Sequence, residues 1–151
     1  MLLHTADADA KNQTPVGGGN PLPVAAYLTA GALPAGASAL GASSGNKANA
    51  AATATLHPAS GKTAYITGFQ CTASGATAGL AVAVTVAGLA GGTQTFAFTY
   101  PAGVAVGAQP LVVQFAQPFP ASAADTDIVV SLPASGAGGT NAAASAQGYC
   151  V

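Results

Sequence analysis

Leu80-Ala81-Val82-Ala83-Val84-Thr85-Val86-Ala87, then a glycine-rich break, then Gln94-Thr95-Phe96-Ala97-Phe98-Thr99-Tyr100: these two runs decide the fold. Leu80, Val82, Val84 and Val86 fall on one side of an extended chain, with Ala81, Ala83, Thr85 and Ala87 on the other. Phe96, Phe98 and Tyr100 alternate in the same way with Thr95, Ala97 and Thr99. Successive side chains of a strand point to opposite faces, so a bulky row alternating with a small one reads as a half-buried strand. The break between the runs, Gly88-Leu89-Ala90-Gly91-Gly92-Thr93, has the glycines of a turn.

The same signal recurs outward from this pair. Leu111, Val113 and Phe115 alternate with Val112 and Gln114, and Ile128, Val130 and Leu132 with Val129 and Ser131. Over 62–72 the odd positions Tyr65, Phe69 and Cys71 are expected to form the inward row. With further strands at 53–57 and 142–151, the candidates are 53–57, 62–72, 79–87, 94–100, 111–116, 127–132 and 142–151. Alanine favours helix, but here the alanine-rich stretches are interrupted by Gly, Thr, Ser or Pro every few residues. The expectation is an all-β domain, a jelly roll or β-sandwich of about seven or eight antiparallel strands.

Residues 1–52 read differently. They are rich in Gly, Ala, Ser, Asn and Pro, without sustained periodicity. Gly17-Gly18-Gly19-Asn20-Pro21-Leu22-Pro23-Val24 is incompatible with helix, because two prolines restrict their neighbours and three glycines add freedom. Residues 31–52 read as loop with room for one short strand. The division is therefore an extended N-terminal arm, 1–52, and a β-sandwich domain, 53–151. Too little apolar area is available in the arm to order it alone, so the sandwich or a partner must do so.

Charge is the most informative part of the composition. The chain has 151 residues, half of them apolar, but only seven are charged: Asp7, Asp9, Lys11, Lys47, Lys62, Asp125 and Asp127. That is 5%, where about a quarter is usual. Such a surface offers little repulsion to keep copies apart, which suits a subunit held against neighbours. Three scattered lysines and a net charge of −1 argue against nucleic-acid binding. The longest apolar stretch, 78–90, is too short to span a bilayer as a helix. Asp7 interrupts any leader-like run at the start, so a chain made and kept in the cytoplasm is expected.

Motifs with chemical potential are few. Gly61-Lys62-Thr63 ends like a phosphate-binding loop, but Leu56 stands where that loop needs its first glycine, and a strand pattern follows instead of a helix. Gly41-Ala42-Ser43-Ser44-Gly45 matches the G-x-S-x-G nucleophile pattern, yet its partners would come in the order Ser43, His57, Asp125, not Ser–Asp–His. His4, His57, Cys71 and Cys150 lack the paired spacing of a zinc site. The pairs Asp7/Asp9 and Asp125/Asp127 supply too few oxygen ligands for calcium, and Asp125-Thr126-Asp127 reads as the polar start of a strand. Cys71 and Cys150 are either buried free thiols or a disulfide, if their strands are neighbours. No enzyme, cofactor or metal is expected from these residues.

Several stretches together resemble a group of small tailed-bacteriophage virion proteins. They are Gly61-Lys62-Thr63-Ala64-Tyr65-Ile66-Thr67-Gly68-Phe69, Val84-Thr85-Val86-Ala87-Gly88-Leu89, Phe98-Thr99-Tyr100-Pro101-Ala102-Gly103 and Pro120-Ala121-Ser122-Ala123-Ala124-Asp125-Thr126-Asp127-Ile128-Val129-Val130. The arm sequence Gly19-Asn20-Pro21-Leu22-Pro23-Val24 is also similar to phage structural proteins, and the likeness covers roughly residues 15–151. The resemblance implies a jelly-roll capsid decoration, or cement, protein on the outer face of the head, joining neighbouring major capsid subunits. It carries no enzymatic site. The expected partners are the major capsid protein and a second or third copy of this chain, as a homo-dimer or homo-trimer through an Ala/Thr/Val-rich face. No nucleic acid and no membrane are expected as partners. The expected capsid contacts lie in the arm, at Pro15, Val16, Asn20, Pro21, Leu22, Pro23 and Val24. The rival readings are a phage tail or fibre component and a carbohydrate-binding β-sandwich module.

Overall fold

Alternation becomes strand wherever a neighbouring segment supplies the missing hydrogen bonds, and here eight segments do so for one another. The computed structural model describes residues 33–103, 109–136 and 139–151. The strands are β1 (Ser38–Ser43), β2 (Ala52–Leu56), β3 (Ala64–Ser74), β4 (Leu80–Ala87), β5 (Gln94–Tyr100), β6 (Leu111–Pro120), β7 (Ile128–Leu132) and β8 (Asn141–Cys150). They form two four-stranded sheets, sheet I in the order β1-β8-β3-β6 and sheet II in the order β2-β7-β4-β5. Every strand–strand pairing is antiparallel.

The pairing follows one rule. First pairs with last, second with seventh, third with sixth, fourth with fifth. Four strands run out, four return, and successive pairs go to opposite sheets. This is the jelly roll, eight strands built as two Greek keys, and it resolves the choice left open by the alternation alone.

Most of the rows predicted to face inward in β4, β5 and β7 do so: Val84, Val86, Phe98, Tyr100, Ile128, Val130 and Leu132 are buried, Val82 and Phe96 are half-buried, and Leu80 at the start of β4 is exposed. The inward row of β8 is small, Ala142, Ala144 and Ala146, ending at Cys150. Phe69 meets Phe96 of the opposite sheet edge to face, with centroids 5.1 Å apart, and Phe115 at 6.2 Å. These rings fill the side of the sandwich where β5 and β6 stand.

Three expectations are corrected. The sandwich does not begin at residue 53. β1 lies inside the stretch read as arm and pairs along its whole length with β8, from Ser38 opposite Cys150 to Ser43 opposite Ser145. Its apolar content is low, so its order comes from that partner. Tyr65 does not share a row with Phe69 and Cys71. The β3 register slips between Ile66 and Gly68, where three β3 residues face two on β8 and leave Thr67 extra. A β-bulge of this kind inverts the inside–outside alternation, so Ala64 and Ile66 point inward before it, and Phe69 and Cys71 after it. Finally, β6 runs on to Pro120 through two prolines, its register against β3 breaking between Gln114 and Phe119.

Candidate functional site

Strand directions assign the loops to two ends. Residues 57–63, 88–93 and 121–127 lie at one end, and 44–51, 75–79, 133–136 and 139–140 at the other. This separates the residues of the candidate catalytic motif. Ser43 closes β1 at the second end, while His57 follows β2 at the first. A five-residue strand puts about 17 Å between such ends, so Ser43 and His57 do not pair. Ser43 Oγ instead accepts a hydrogen bond from the Gly45 amide at 3.2 Å, and Ser44 Oγ accepts one from the Ala144 amide at 2.9 Å. The motif is a turn that ends a strand.

Gly61-Lys62-Thr63 is also a turn. Gly61 has φ +76°, the left-handed region that favours glycine, and its amide donates to Asp125 Oδ1 at 2.6 Å. The Asp125 amide donates back to the Lys62 carbonyl at 3.0 Å, and Lys62 Nζ reaches the Gly36 carbonyl at 3.2 Å. The Gly61 amide is thus taken by a side-chain carboxylate of the same protein. Asp127 has a separate partner, with its Oδ1 2.5 Å from His57 Nδ1, both side chains being well exposed. The D-x-D pair therefore ties two loops and does not converge on one point. Among the described residues no three His, Cys, Asp or Glu side chains come together.

The cysteines are free and buried. Cys71 sits opposite Ala144 and Cys150 opposite Ala64 in adjacent strands, so the strands are neighbours as required. Yet six residues of β8 separate Ala144 from Cys150 (150 − 144), about 20 Å at strand rise. A disulfide needs Cα atoms within about 7 Å, so this fold rules the bridge out. Burial pushes the Cys71 thiol up to about 11. Tyr100 is raised from its ordinary value, first by burial and then by Cys71 beside it. Its hydroxyl donates to the Pro133 carbonyl at 2.9 Å, which satisfies the one polar atom of a fully buried ring.

What remains is surface, and it is unusual in one respect. The four charged residues among those described, Lys47, Lys62, Asp125 and Asp127, all lie in loops. Among the described residues neither outer sheet face carries a charge. The outer face of sheet II is small and flat: Thr53, Thr55, Ala81, Ala83, Thr95, Ala97 and Thr99 are all exposed. That of sheet I is rich in amides and tyrosine. Tyr65 stacks on Tyr149, with centroids 5.0 Å apart and planes at 10°. Tyr149 is raised from its ordinary value by burial and then by Tyr65. A shallow groove of about 480 Å³ crosses this face between Gly41, Gln70, Gln114, Ser145 and Gln147. Gln147 Nε2 donates to Gln114 Oε1 across it at 3.3 Å, and Thr67 Oγ1 caps the bulge by donating to the Gln147 carbonyl at 3.0 Å. Gly68 is required beneath, since a Cβ there would lie 2.7 Å from the Val113 carbonyl oxygen.

The predicted arm contacts, Pro15, Val16, Asn20, Pro21, Leu22, Pro23 and Val24, lie outside the described residues. The faces of sheet I were not foreseen as a site, because Tyr65 and Tyr149 are brought together only by the bulge and the β3–β8 register. Comparison with known protein families, curated proteins and solved structures returns no match.

Proposed function

We propose that this chain is a structural virion protein that decorates and stabilises a bacteriophage head by bridging neighbouring major capsid subunits. The observation that carries the reading is the confinement of charge to loops: both broad faces of the jelly roll are free of ionised side chains among the described residues. A charged group buried at an interface must be desolvated and paired, and these faces spare that cost. The fold alone does not decide, since jelly rolls also serve as lectins and cupins. The sequence resemblance to phage virion proteins turns the surface argument toward a capsid. Specific contacts bury about 1,600 Å² in total, and repetition around a shell multiplies modest contacts through avidity. In this reading the segment from Pro15 to Val24 runs along the capsid neighbour.

The test uses heads of a phage that carries this gene, prepared without the protein. Added back, the wild-type chain cosediments with heads and raises the temperature at which they release DNA. Gln70→Lys on sheet I and Ala83→Lys on sheet II each leave folding within about 0.5 kcal/mol of wild type. The one on the docking face weakens head binding tenfold or more. The reading fails if wild-type protein stays in the supernatant, or if labelled protein decorates tails and not heads.

A further inference from the structure

Of the four edge strands, β1 and β2 lie against one another. β6 carries Pro118 and Pro120, which cannot donate to a ladder, and its register is broken. Those are familiar means of blunting an edge. β5 has none of them. It contains no proline, glycine or charge, and its register against β4 is unbroken from Leu80 opposite Tyr100 to Val86 opposite Gln94. A clean seven-residue edge, with no strand beyond it among the described residues, is a template for another strand.

We propose that β5 is a two-fold pairing edge, on which a second copy of this chain adds its own β5 antiparallel and in register about Ala97. The choice of a second copy comes from the sequence of the edge. Thr95-Phe96-Ala97-Phe98-Thr99 reads the same in both directions. Antiparallel pairing about Ala97 sets Ala97 opposite Ala97, each Thr95 opposite Thr99, and each Phe96 opposite Phe98. Thr–Thr and aromatic–aromatic pairs are among the favourable cross-strand pairs, and like charges, the usual objection to self-pairing, are absent. The interface is isologous, as a closed dimer requires. Thr95, Ala97 and Thr99 are exposed and small, and Phe96 is only half-buried, so the second copy covers apolar ring surface. A groove of about 370 Å³ already runs beside the edge, lined by Ala97, Phe98, Thr99, Pro110 and Leu111. The two copies of sheet II then form one continuous eight-stranded sheet, four strands from each.

This deepens the self-association half of the virion reading but is read on the isolated protein. Wild type sediments at twice its 14.2 kDa mass, and Ala97→Lys, which places like charges face to face, sediments as a folded monomer with unchanged circular dichroism. Under oxidation or with a short bis-maleimide, Ala97→Cys links to itself. Thr95→Cys does not link alone but does so together with Thr99→Cys, and Thr53→Cys on β2 stays unlinked. The native thiols, being buried, do not interfere. The pairing is overturned if wild type is monomeric, if Ala97→Lys leaves the dimer intact, or if Thr95→Cys links in place of Ala97→Cys. A monomeric wild type that still binds heads overturns this edge alone, whereas a β5-linked dimer that ignores heads overturns the capsid role alone.

Discussion

Sheet II keeps all its strands in unbroken register and turns large side chains inward, among them Leu56, Val84, Val86, Ile128, Val130 and Leu132. Sheet I is bulged in β3, irregular in β6, and presents alanines from β8. The contrast shows how a chain with few bulky residues builds a core. Opposite β8, sheet II supplies the volume and the alanines of β8 supply a shallow row that lets it come close, while on the β5–β6 side Phe69 and Phe115 of sheet I supply volume themselves. The strands of sheet II nearest β8 are β2 and β7, which carry Leu56, Ile128 and Leu132. Facing large against small is how two layers interdigitate at the density of a protein interior.

That division of labour is broken most directly from the bulky side. Ile128→Ala opens a cavity at a fully buried position and is expected to cost about 2–5 kcal/mol in urea denaturation. The reciprocal change, Ala144→Leu, overfills the shallow row and is expected to cost about 1–3 kcal/mol. If Ala144→Leu proves neutral, the alanines of β8 are not what sets the spacing.

A smaller effect probes the seam between the sheets. Cys71 of sheet I and Tyr100 of sheet II are buried titratable groups that face each other there. A thiol held near 11 in the folded chain and near 9.0 when unfolded stays protonated longer in the fold. The unfolded chain then binds fewer protons over that interval, so stability falls as pH rises from about 9 to about 11. The contribution is fully present below pH 9. Urea midpoints across this range follow the fall, and Cys71→Ala flattens its slope whatever it does to stability at neutral pH. A slope unchanged by Cys71→Ala would remove the thiol from the account.

The smallest effect is expected at the end of sheet II. His57 and Asp127 join the loops that flank β2 and β7, but His57 is 78% exposed and solvent screens the pair. His57→Ala should cost less than about 1 kcal/mol. A larger loss, read by thermal denaturation near neutral pH, would mean that the regular register of sheet II depends on this tie and not on its core.

Much of sheet II was legible in the sequence because its strands are regular. Period two survives in β4, β5 and β7, and apart from Leu80, exposed at the start of β4, each inward row could be named residue by residue. Sheet I was harder for reasons that can be located. A single extra residue, Thr67, reverses the parity of β3, and nothing in Tyr65-Ile66-Thr67-Gly68-Phe69 announces which residue is the extra one. β1 has no apolar rhythm of its own. In β6 the two prolines argue against strand, and the edge position that tolerates them is not a local property. Of the candidate sites, the emptiness of the catalytic motifs could be argued from spacing, but the uncharged sheet faces could be recognised only once each residue had a side.

Composition and alternation alone determined that this chain forms short strands with a thin core and very little charge, because these depend on each residue and its immediate neighbours. Which strand lies beside which, where the parity turns over, that Cys71 and Cys150 stand too far apart to join, and that every described charge falls in a loop were decided by the tertiary structure. The reason is physical: a strand's hydrogen bonds are satisfied by segments far away in the chain, so partner, register and face belong to the whole roll and to no segment by itself.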